Sequence, residues 1–173
     1  MKLLAGALAL VLATFAVPAA ALIIPVSASL DCAQANAGLG TCGAGGSGTG
    51  TADVTFDTVT NLLAWDVSWS GLSAPTFIAH IHGPATPNQN AGVVVDFGAV
   101  GTATSGSSMG STTLSAAQAS DLLSELWYVN IHSNAFPLGE IRGQLLVPEP
   151  ATGALLGASL VGFGGALRTR RRG

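Results

Sequence analysis

The sequence predicts a mostly-β domain, a sandwich or barrel with one short helix, placed between a leader and an apolar tail. Three observations carry that expectation. Short runs rich in β-branched and aromatic residues recur between turn residues, as in all-β sandwiches and barrels. One of them, Leu63 to Ser70, alternates without a break: Leu63, Trp65, Val67 and Trp69 against Ala64, Asp66, Ser68 and Ser70. Period two puts those four apolar side chains on one face of a strand. The one helix signature is Ser115 followed three residues later by Gln118, a capping box.

Taken in order, residues 1–21 read as a signal peptide. Lys2 is a positive n-region, Leu3 to Val17 is apolar, and Pro18-Ala19-Ala20-Ala21 supplies small residues for cleavage. Val26-Ser27-Ala28 is a second possible cleavage site. A retained membrane helix is the alternative, but the apolar run is short and Pro18 interrupts it. Residues 22–147 then form the domain. Strands are expected around Val54 and Phe56, Leu63 to Ser70, Phe77 to His82, Val93 to Phe97, Tyr128 to His132 and Gly139 to Val147, with Thr58 to Asn61 as a hairpin loop. Ala119, Leu122, Leu123 and Leu126 recur at helical spacing behind the capping box. Gly101 to Thr113 reads as a Gly/Ser/Thr loop.

Charged residues make up only 9% of the chain, against ~25% in an average globular protein. Lys2 and the four C-terminal arginines lie outside the body, which keeps a single cation, Arg142, among acidic residues. One cation cannot neutralise a phosphate backbone, which excludes nucleic acid as a partner. Cys32 and Cys42 are the only cysteines, and in an exported chain they are expected to form a disulfide. Closing so short a loop stabilises the fold by about 3 kcal/mol on chain-entropy grounds. A redox or metal-binding thiol pair is the alternative; the spacing is too long for CxxC, and no further cysteine completes a site.

The three histidines carry the candidate chemistry. His80 and His82 form an H-x-H pair, which on a strand points both imidazoles to one face with Cα atoms about 7 Å apart. His132 ends a second strand and can supply a third nitrogen. Three imidazoles suit copper or zinc. The competing reading is a polar hydrogen-bond network of these histidines with Asn130, Glu140 and Arg142. Glu140 and Arg142 share a strand face, and Arg142 is expected to pair with a carboxylate, with anion binding behind that. Gly106-Ser107-Ser108-Met109-Gly110 matches G-x-S-x-G by letters, but the hydrolase mechanism needs a strand-to-helix turn that a Gly/Ser loop does not provide.

The tail has three parts in order: Pro148-Glu149-Pro150, the uncharged stretch 151–167, and the basic end 168–172 with Arg168, Arg170, Arg171 and Arg172. The stretch spans about 25 Å as a helix, slightly short of a ~30 Å hydrocarbon core. An ordinary tail anchor would look similar. The ordered set resembles the PEP-CTERM sorting signal of Gram-negative bacteria. That resemblance implies an exosortase-type processing enzyme, a transient stay in the inner membrane, and association with exopolysaccharide or matrix.

The body carries a second resemblance. Ser29-Leu30-Asp31, Gly71-Leu72, Ala79 to Ala85, Val93 to Asp96, Tyr128 to His132 and Gly139 to Leu145 occur in the order that resembles a CHRD domain. This implies an immunoglobulin-like β fold and a distant similarity to copper-zinc superoxide dismutases. A dismutase two-metal centre needs more histidines than the three present. The leading expectation is therefore a non-enzymatic, exported domain with a structural or interaction role at the cell surface or in the matrix. The second is a mononuclear copper or zinc domain on His80, His82 and His132.

Overall fold

The computed structural model describes residues 22–36, 42–43 and 45–148. The leader at 1–21 and the tail from Glu149 onward, including Pro150 and the arginines Arg168, Arg170, Arg171 and Arg172, lie outside the described residues. Among the described residues no helix is long and apolar enough to cross a membrane.

The chain runs β1 (Ile23–Asp31), α1 (Cys32–Asn36), β2 (Thr49–Asp57), β3 (Leu62–Ser70), β4 (Thr76–His82), β5 (Val93–Asp96), β6 (Gly106–Thr113), α2 (Ala116–Leu123), β7 (Tyr128–Ser133) and β8 (Ile141–Gln144). The strands form one antiparallel sheet in the order β5-β4-β7-β8-β1-β2-β3-β6. It curls so that its two ends face each other across a single apolar core. Val26, Leu30, Val54, Phe56, Leu63 and Val67 come from one half, and Ala79, Ile81, Val129, Ile131 and Ile141 from the other. Burying each large side chain stabilises the fold by roughly 1.5–3 kcal/mol. The curl is closed where Trp65 of β3 stacks on Phe97 beyond β5, with ring centroids 5.3 Å apart. Trp69 completes the closure by donating from Nε1 to the Thr76 hydroxyl at 2.9 Å.

The halves meet along a thin seam. β1 and β2 pair continuously from Ile23↔Asp57 to Asp31↔Thr49. Between β1 and β8 there is one register pair, Asp31↔Arg142, and one isolated bridge, Ser27↔Leu146. The Gln34 side chain of α1 fills the gap. Its Nε2 donates to the Ser29 carbonyl at 2.7 Å, and its Oε1 accepts from the Gln144 N–H at 3.2 Å. Val26 to Ala28, the second possible cleavage site, lies inside β1 with Val26 and Ala28 buried.

Most local expectations are met. The alternation in β3 puts Leu63, Val67 and Trp69 inside. Residues 58–61 turn the β2–β3 hairpin, with the Asp57 carboxylate accepting from the N–H groups of Val59 and Thr60. Ser115 and Gln118 form the capping box of α2, whose buried residues are Ala119 and Leu122; Leu126 falls beyond the helix. Cys32 and Cys42 are disulfide-bonded, with Cα atoms 5.6 Å apart.

The loop expected at Gly101 to Thr113 is a correction. Its second part is the edge strand β6, paired with β3 from Leu62↔Thr113 to Trp69↔Gly106. The strand has almost no apolar side chains because its partner supplies them. Gly106 lies under the Trp69 ring and Gly110 under the Trp65 ring, so close that a Cβ at either position would collide with the indole. The same pairing removes the G-x-S-x-G reading, since Ser108 sits mid-strand with no helix following directly.

Candidate metal centre

The elements that carry the site are buried on both faces. Every residue of β7 and β8 is buried, and so are Ala79 to His82 of β4. The core-facing residues Ala79, Ile81, Val129, Ile131 and Ile141 alternate with a second set: His80, His82, Tyr128, Asn130, His132 and Arg142. Loops 83–92 and 134–139 contribute backbone partners to that second, polar face.

Register brings the histidines together. His82 is opposite Tyr128, His80 opposite Asn130, and Ile78 opposite His132, so His132 lies diagonally across from the H-x-H pair. The ring centroids are 5.3 Å apart for His80–His82, 5.3 Å for His80–His132 and 5.8 Å for His82–His132. One nitrogen from each imidazole lies within 4.8 Å of the other two.

Hydrogen bonding distinguishes the two nitrogens of His82 and of His132. His82 Nδ1 is 3.0 Å from the Ala91 carbonyl and His132 Nδ1 is 2.9 Å from the Pro137 carbonyl. A carbonyl only accepts, so each Nδ1 carries the proton and each Nε2 keeps its lone pair. His80 is turned the other way, with Nε2 3.9 Å from an oxygen of Asp96. What remains is His80 Nδ1, His82 Nε2 and His132 Nε2, all buried and all without a hydrogen-bond partner. A buried polar atom without a partner costs about 1–3 kcal/mol. Here three such atoms lie in one cluster.

The electrostatics keep the rings neutral. Burial pushes the His132 pKa down to about 4, against a partly compensating bond to Pro137, and the neighbouring His82 and His80 lower it further. Burial lowers His82, opposed by the Ala91 bond and assisted by His80 and Arg142. His80 is lowered by burial, which outweighs the attraction of Asp96. Neutral imidazole is the form that ligates metal.

Glu140 and Arg142 are both buried, but neither joins the histidines through a hydrogen bond, and they do not pair with each other. Glu140 Oε1 accepts from the N–H groups of Ser47 at 3.0 Å and Ser73 at 2.7 Å. Burial works to raise its pKa, yet the bonds from Ser133, Ser73 and Ser47 outweigh it and hold the carboxyl below its ordinary value. The carboxylate partner expected for Arg142 is a second correction. Its guanidinium lies 3.3 Å over the Tyr128 ring and donates to the carbonyls of Gln89 and Thr86 and to Gln144 Oε1. Carbonyl dipoles and an aromatic face do the work of an anion. Asn130 donates to the Leu138 carbonyl, so the histidine network with Asn130, Glu140 and Arg142 does not form.

Residues 26–145, more than half of the chain, match the CHRD domain family. The chain belongs to the CHRD domain family. The match spans all three histidines, Tyr128, Arg142 and Gln144. CHRD domains are not a known enzyme family. No match was found among curated proteins. Within this CHRD domain three further contributors went unread in the sequence: Tyr128, stacked on His82 at 5.1 Å and 8°; Gln144; and Asp96. Tyr128 had a usable signal, since it stands four residues before His132 on the same strand face. Asp96 had none.

Proposed function

We propose that this CHRD domain is an exported metal-binding module that holds one copper or zinc ion on His80, His82 and His132. The convergence of three buried, unpartnered imidazole nitrogens carries the reading. Three neutral nitrogen donors match what copper(II) and zinc(II) accept from proteins. His82 and His132 are oriented from behind by backbone carbonyls, the arrangement that fixes ligand tautomers in metal sites. The ion, when bound, supplies Lewis acidity or, for copper, a redox couple. The chain's own part is to fix the lone pairs of His82 and His132 and to bury all three nitrogens. With three histidines in all, a two-metal dismutase centre has no complete ligand set.

Export is supported by the leader at 1–21, by the tail that resembles a PEP-CTERM signal, and by the disulfide, which persists in oxidising compartments. On this reading an exosortase-type enzyme processes the tail, and the domain serves at the cell surface or in an exopolysaccharide matrix. Native mass spectrometry of the protein recovered from its host's envelope tests both halves. The expected species lacks residues 1–21, is shortened near Pro148-Glu149-Pro150, and carries one copper or zinc that is lost in the His80→Ala, His82→Ala, His132→Ala variant. A metal-free, folded wild type sinks the metal reading. An unprocessed tail sinks the sorting reading.

A further inference from the structure

Arg142 is 2% exposed and, among the described residues, forms no ion pair with a carboxylate. Burying an unpaired cation is costly, so its contacts should show what it is kept for. Its donors go to the carbonyls of Gln89, at 2.8 Å, and Thr86, at 3.2 Å. Both belong to the loop 83–92 that leaves β4 directly after His82. Other groups clamp the same loop: Gln144 Nε2 donates to the Ala85 carbonyl, and the Ala91 N–H donates to the Tyr128 hydroxyl. Near the far end of the loop is Ala91, whose carbonyl accepts the hydrogen bond from His82 Nδ1–H. Tyr128 lies between the two functions, its ring stacked on His82 and covered by the guanidinium.

We propose that Arg142 is the positioning residue of His82: by fastening loop 83–92 it holds the Ala91 carbonyl in place and so keeps the His82 Nε2 lone pair turned toward His80 and His132. A planar fork that spans two carbonyls and stacks on a ring is something lysine cannot reproduce. His132 is an internal control, because its Nδ1 is held by Pro137, which is outside this loop. The inference builds on the metal reading, but half of its test is independent of it.

The test uses the metal-free exported protein with its disulfide intact, as wild type, Arg142→Lys and Arg142→Met. Nitrogen-15 NMR of the imidazoles reads each tautomer, and copper and zinc titration reads affinity. In the wild type His82 and His132 are both protonated at Nδ1. In both variants His82 becomes a mixture of tautomers while His132 does not change, and affinity falls about 10- to 100-fold, the usual effect of removing a ligand's outer support. An unchanged His82 in both variants overturns the proposal, as does a tautomer change at His132 equal to that at His82. Full retention in Arg142→Lys overturns the argument from the fork. If the wild type binds no metal, the metal reading fails alone and the tautomers still decide this one.

Discussion

At the scale of single residues, a proton is the competitor that the proposed metal would meet at each imidazole, and burial has weakened it. The unfolded chain protonates His132 near pH 6.5, whereas the folded protein does so only at about 4. Above pH 6.5 both states are neutral and the full stability is present. Between 6.5 and 4 only the unfolded chain takes up the proton, so stability falls with pH, by about 3 kcal/mol for His132 at the low end. His80 and His82 are shifted in the same direction and add to the loss. Urea midpoints measured from pH 7.5 to 4 should trace this fall, and His132→Gln should flatten it. An identical slope in that variant would mean that His132 is not the group responsible. The H-x-H pair was legible because strand periodicity alone puts two alternate residues on one face. His132 was legible only as a candidate, since its position depends on the β4–β7 register. The carbonyls of Ala91 and Pro137, which set the tautomers, were not legible, because every residue has a carbonyl and only the folded loop selects one.

At the scale of the element, β6 is the case where local reading failed for a physical reason. A strand is recognised by its own apolar alternation, and Gly106 to Thr113 has little. The apolar surface of that rung belongs to Trp65 and Trp69, which lie across the two glycines. Gly110→Val should therefore destabilise the domain by roughly 1–3 kcal/mol, the usual cost of overpacking, although valine is the better strand former. Thermal melting checks this. A variant that melts no lower than wild type would show that the indoles can move aside. β3 and α2 were readable because their signals, alternation and a capping box, lie within the element itself.

At the scale of the whole molecule, β1 and β2 pair over nine residues, while the line between β1 and β8 holds one register pair and one isolated bridge. Ser27 and Leu146 exchange one pair of backbone bonds, at 3.0 and 2.9 Å. Local opening follows the places with fewest hydrogen bonds and packed contacts. The amides of Ser27 and Leu146 should then lose hydrogen-exchange protection before the β1–β2 ladder does. Equal protection would mean that the sheet opens as one body. The mostly-β class was visible in the sequence, yet this division was not, because no residue pattern announces where a ladder thins. The ladder pairs of this sheet are made of backbone. The rung that Gln34 provides is a side chain. Part of the coupling between the two halves is thus written in a single letter, and it can be tuned without touching the core or the histidines.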